Sequence, residues 1–176
     1  IGSARYSAIV MEARTGNVLI EAGADQPRYP ASLTKMMTLY MTFEALRDGK
    51  TQLNSRVVMS EAAASRPPSK LGIPPGSGLT VEQAILALVT KSANDVAAAL
   101  GEHVGGSEER FAQMMTMRAR SLGMTQTRFR NASGLPDLEQ VTTARDMATL
   151  GRRLFLDFPN RYHYFGTVHF AWGRAQ

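Results

Sequence analysis

Tyr29-Pro30-Ala31-Ser32-Leu33-Thr34-Lys35 is the stretch on which the reading of this chain turns. Pro30 blocks helix upstream, and the run from Leu33 to Leu46 reads as helix. Ser32 and Lys35 are three residues apart, so a helix sets them on one face, a turn from each other. The run is apolar on almost every side, through Leu33, Met36, Met37, Leu39, Tyr40, Met41, Phe43 and Leu46. Before Arg47 its charged residues are only Lys35 and Glu44. A helix apolar all round is a buried one. The spacing therefore puts Lys35 on the first turn of an element that enters the core. Desolvation lowers the pKa of a lysine, and a neutral amine near a hydroxyl can take its proton. The start of such a helix also offers backbone N–H groups to a developing oxyanion.

The chain around this stretch has 176 residues, enough for one domain with a sizeable core. Its net charge is +5, but the basic residues are scattered, which fits mild attraction to anionic surfaces and not nucleic-acid binding. Cysteine is absent, so neither a disulfide framework nor thiol chemistry is available. His103, His163 and His169 lack the helical spacing of a ligand set, so no metal and no cofactor is expected. The methionines at 36, 37, 41, 114, 115 and 117 read as core filling. Glu108 and Glu109 read as first-turn charges on a helix.

Upstream of the serine, Tyr6–Met11 and Val18–Ile20 read as two strands joined by the turn Thr15-Gly16-Asn17. Downstream, the buried helix ends near Asp48-Gly49, and Val57–Met59 is a short strand candidate. Ser60–Ala64 reads as a helical turn. The stretch 66–78 holds four prolines and three glycines and reads as a rigid loop. Thr80 with Gln83 forms a capping-box pattern opening a helix from Val81 to Val89. Further helices are expected over Asn94–His103, from Ser107 to about Leu122, and from Thr143 to about Phe155. Phe165–Trp172 reads as the start of a strand.

Thr90-Lys91-Ser92-Ala93-Asn94-Asp95 joins two of these helices, and such a short connection can hold a hydroxyl and an amide rigidly at a cleft. Ser-x-x-Lys occurs once, at Ser32, and Ser-x-Asn once, at Ser92, sixty residues later. Together and in this order the two motifs resemble those of the serine penicillin-recognising enzymes. The wider resemblance is to the low-molecular-mass penicillin-binding proteins that act as D-alanyl-D-alanine carboxypeptidases. It is carried by Pro30–Lys35, Pro67–Gly72, Lys91–Asp95, Phe129–Leu135 and Thr143–Met147.

The resemblance implies an α+β fold of the DD-peptidase and β-lactamase type, an antiparallel sheet between helices with a mostly helical subdomain inserted. Residues 1–176 would be the N-terminal and helical portion of one such domain. The resemblance also implies roles: Ser32 as the acylated nucleophile, Lys35 as its general base, Ser92 as proton relay to the leaving D-alanine, and Asn94 as a substrate-binding amide. Peptidoglycan stem peptides ending in D-Ala-D-Ala are the implied substrate, and β-lactams the implied covalent inhibitors. The implied location is the periplasm or another extracytoplasmic face of a bacterial envelope, reached by a signal peptide since removed.

The family's third motif, Lys-Thr-Gly on a core strand, does not occur, since Lys91 is the last lysine. A downstream segment of the same protein is therefore expected to complete the sheet, and that sheet is expected to cover the side of the buried helix that the later helices leave open. A DD-endopeptidase shares these motifs. A β-lactamase shares the first two, but the loop Thr127–Leu135 lacks the carboxylate with which the comparable serine class activates its deacylating water. A non-catalytic binding or scaffold module remains the third class.

Overall fold

The computed structural model describes residues 5–173. In it the serine does not open the α-helix directly. A 3-10 turn, Ala31–Leu33, carries Ser32 and leads into α1, Thr34–Arg47. The helix is buried all round, as its composition predicts: Met37, Tyr40 and Phe43 have no exposed surface. It ends at Asp48, with Gly49 in the left-handed region at φ 70°.

Upstream, β1 (Ala8–Met11) and β2 (Val18–Ala22) form an antiparallel hairpin with Val10 opposite Ile20. A register shift falls between Val10 and Met11. A second small sheet pairs β3 (Arg56–Val58) with β4 (Gly78–Thr80), Val57 lying opposite Leu79. The sequence reading misses β4, because three residues at the end of a proline-rich loop carry no periodicity to read. Between these strands stands the single turn α2, Glu61–Ala64, with the Ser60 side chain as its cap.

Four longer helices follow. Thr80 and Gln83 form the expected capping box of α3, Val81–Lys91. Next come α4 (Asn94–Gly105), α5 (Glu108–Ser121), capped by Ser107, and α6 (Ala144–Asp157), capped by Thr143. Of these, α4 is the hub, packing on α1, α2, α3 and α5. Its small residues Ala97, Ala98, Ala99 and Gly101 allow that close approach on several sides.

One expectation is corrected. Phe165–Trp172 begins no strand: Tyr162–Gly166 is a 3-10 turn, and no strand follows up to residue 173. This segment folds back on the core, with Tyr164 only 6% exposed and its hydroxyl donating to Glu82 at 2.8 Å. Among the described residues the cover of α1 comes from helices and aromatic rings. It packs on α4, α5 and α6, and Phe43 lies against the rings of Phe158, Tyr164 and Phe165. Phe158 also meets Tyr40 edge to face, with centroids 4.9 Å apart.

Candidate active site

Where the start of α1 meets the α3–α4 connection lies a cleft of about 320 Å³, lined by Ser32, Lys35, Ser69, Ser92, Asn94 and Ser133 among others. All four residues singled out from the sequence line it. Three of them are placed there by a local feature of the backbone. Ala31, just before the nucleophile candidate, has φ 49°, a left-handed conformation that a residue with a Cβ rarely takes. Ser92 ends α3 in the same region, at φ 53°. Asn94 is the first residue of α4.

Lys35 forms the floor and is 5% exposed. Its Nζ donates to Asn94 Oδ1 at 2.8 Å and to the Ser133 carbonyl at 2.6 Å. Burial lowers its pKa from 10.5 to about 8. Among the described residues no carboxylate forms an ion pair with it, so nothing offsets that burial with opposite charge. A neutral lysine amine has two N–H bonds and one lone pair. Asn94 and Ser133 occupy two directions, which leaves the lone pair for a third group in the cleft.

The walls are two loops. In the first, Asn94 Nδ2 donates to the Pro67 carbonyl at 3.0 Å, and the Asn94 backbone N–H donates to the Ser69 carbonyl at 2.7 Å. Asp95, wholly buried, accepts from the N–H groups of Leu71 and Gly72. In the second, the Asn131 carboxamide bonds the Gly134 N–H and the Leu135 carbonyl, while Gln140 accepts from the N–H groups of Arg130 and Asn131. Gly134 closely abuts the turn that carries Ser32: a Cβ there would stand 1.8 Å from the Ala31 carbonyl oxygen.

Three contributors escape the sequence reading of roles. The Ser133 and Pro67 carbonyls act through the backbone, which no side-chain type advertises. Gly134 acts through what it lacks. Glu108 stands in the first turn of α5, as read, and is in addition a buried carboxylate, 6% exposed, bonded to Arg66 and to the Ala132 N–H. Asp137 and Glu139, by contrast, lie in surface ion pairs with Arg128 and Arg130. Among the described residues no three His, Cys, Asp or Glu side chains gather as a metal site.

Comparison with known proteins matches this arrangement to one family. The family description "D-alanyl-D-alanine carboxypeptidase", peptidase S11, matches residues 3–175. The chain is 38% identical over 174 residues to the D-alanyl-D-alanine carboxypeptidase DacC of Escherichia coli, covering 96% of this chain and 44% of that protein. To DacF of Bacillus subtilis it is 36% identical over 148 residues, covering 84% of this chain and 38% of that one. It is also 32% identical over 147 residues to a D-alanyl-D-alanine endopeptidase of Pseudomonas aeruginosa, covering 82% of this chain and 45% of that protein. Among solved structures, the D-alanyl-D-alanine carboxypeptidase DacD of Francisella tularensis superposes with a TM-score of 0.89 at 36% identity, over 94% of this chain and 40% of that one. The chain thus spans about two fifths of the length of such relatives. With the family description matched from residue 3 to residue 175, the chain belongs to the D-alanyl-D-alanine carboxypeptidase family, peptidase S11.

Proposed function

We propose that the protein carrying this chain is a serine-type D-alanyl-D-alanine carboxypeptidase acting through an acyl-enzyme on Ser32. The observation that supports this most is Lys35, buried on the cleft floor beside Ser32 with both of its neutral-state N–H bonds directed elsewhere. In this reading Ser32 Oγ attacks the carbonyl carbon of the penultimate D-alanine while its proton passes to the Lys35 lone pair. The peptide C–N bond then breaks, Ser92 delivers a proton to the departing D-alanine amine, and water hydrolyses the ester. Asn94, anchored through both its side chain and its backbone, presents its amide to the substrate peptide.

In the same reading a β-lactam acylates Ser32 as a stem peptide does, and residues 1–176 form the N-terminal and helical portion of one penicillin-binding domain. Further strands of the same protein, with a Lys-Thr-Gly-like segment, complete the sheet. The protein works on peptidoglycan at an extracytoplasmic face of the envelope after export. Endopeptidase action on cross-linked stems is the second reading, favoured by the likeness to a named endopeptidase. The test is a fluorescent penicillin applied to the whole protein. Stable label mapping to the Ser32 peptide, and lost in Ser32→Ala, is expected. Rapid release of label would indicate a β-lactamase, and absence of label a non-catalytic module. Hydrolysis of a D-Ala-D-Ala pentapeptide against a cross-linked dimer separates the two peptidase readings.

A further inference from the structure

The two loops that wall the cleft meet at one carboxylate. Glu108 Oε2 accepts from Arg66 Nη2 at 2.6 Å, and Glu108 Oε1 accepts from the Ala132 N–H at 3.1 Å. Arg66 immediately precedes Pro67, whose carbonyl anchors the Asn94 side chain. Ala132 immediately precedes Ser133, whose carbonyl accepts from Lys35. One oxygen thus holds each wall, one residue away from the atom that touches the site.

A helix dipole does not require this arrangement. Glu109, the next residue of α5, already supplies an exposed negative charge to the same first turn. Burying a second carboxylate costs free energy unless charge and hydrogen bonds compensate it. Here both oxygens are engaged, and the partners belong to the two loops rather than to the helix. The hollow behind Glu108 is lined also by Ser60, Glu102 and Glu109, with Arg66 its only cationic lining residue.

We infer that Glu108 is a positioning residue that holds the 66–72 and 131–135 loops at the separation at which Asn94 and the Ser133 carbonyl both reach Lys35. The inference rests on the reading of Lys35 as the base. Its test, however, needs no substrate, so it stands or falls apart from whether Ser32 is acylated.

The test follows Lys35 in the whole protein that carries this chain, by a pH titration of lysine ε-carbon NMR shifts assigned through Lys35→Met. Backbone hydrogen exchange at Asn94, whose N–H is bonded to the Ser69 carbonyl, is read in parallel. The variants are Glu108→Gln and Arg66→Gln, and Tyr40→Phe is the control because it removes a side-chain hydrogen bond, to Asp157, outside the cleft. Loosened walls admit water, so the Lys35 midpoint moves up from about 8 toward the ordinary lysine range in both loop variants. Exchange at Asn94 quickens by about tenfold or more, and the control changes neither readout. Unchanged Lys35 titration and Asn94 exchange in the loop variants overturns the inference, as does an equal change in Tyr40→Phe. Should Glu108→Gln fail to fold, Arg66→Gln, which leaves the Ala132 bond intact, decides alone.

Discussion

Lys35 has two N–H bonds when neutral, and Asn94 and the Ser133 carbonyl take both, so the pH at which it loses its proton sets when its lone pair is free. Acylation of Ser32 by a penicillin should accordingly rise with pH through a midpoint near 8 and then level off. Lys35→Arg, which stays protonated, should lose on the order of 10²–10⁴ in acylation rate constant at every pH. A profile that is flat between pH 6 and 10 would assign the proton to another group. The same group marks stability with a definite sign. Its pKa is lower folded than unfolded, so between about 8 and 10.5 the unfolded chain binds more protons and stability rises with pH. Below that window both states are protonated and the penalty is fully present. Thermal melts of Lys35→Met should lack the rise. Gly134 belongs to this scale too. It has φ 88°, and an added Cβ would meet the Ala31 carbonyl at 1.8 Å, so Gly134→Ala must displace the turn that carries Ser32. A destabilisation of about 1–3 kcal/mol or more is expected by denaturant unfolding, together with slowed labelling of Ser32. That Ser32, Lys35, Ser92 and Asn94 belong together was legible, and they do line one cleft, because side-chain chemistry at short spacing is what a sequence displays. It could not display the Ser133 carbonyl or the gap at Gly134, which are properties of backbone placed by distant residues.

Among elements, α1 shows how far composition reaches. Its burial was legible from the apolar run, but what covers it was not, because Phe158, Tyr164 and Phe165 lie more than a hundred residues downstream in a stretch without helical period. Helices α3, α5 and α6 were legible with their caps, since Thr80, Ser107 and Thr143 each accept from the backbone N–H three residues on. Three-residue strands were only half legible, as β3 was read and β4 was not. The aromatic cover carries a prediction. Phe158 is 5% exposed and touches Tyr40 and Phe43, so Phe158→Ala removes a filled volume at the point where α6 closes on α1. A loss of about 3–5 kcal/mol is expected in urea unfolding. A loss under about 1 kcal/mol would mean that the cover of α1 lies elsewhere. Amide exchange in α1 should quicken in the same variant while α3 keeps its protection.

Across the whole molecule the two ends of the core differ in how well they are closed. The helical part is closed, with α4 packed on α1, α2, α3, α5 and β3 and α1 covered by residues of this chain. The hairpin is not. Leu19 and Ile20 are 65% and 67% exposed, and because successive strand residues point to opposite faces, both faces of β2 are open. Val10, cross-strand from Ile20, is 49% exposed. Two strands make a marginal sheet, and an open apolar edge is a template for another strand. Two outcomes follow for residues 1–176 studied alone. Amide exchange should be slow through α1 and α4 and fast through β1 and β2, since the helices have buried cover and the hairpin has not. The chain should also self-associate through the hairpin, so that its sedimentation coefficient rises with concentration. Leu19→Lys with Ile20→Lys places a charge on each face of β2 and should return the chain to a concentration-independent monomer while leaving the α1 exchange untouched. Equal protection in hairpin and helices of a wild-type monomer would show that the hairpin closes on this chain alone. Self-association that survives both lysines would move the sticky surface to the other exposed apolar cluster, around Phe155 and Tyr162.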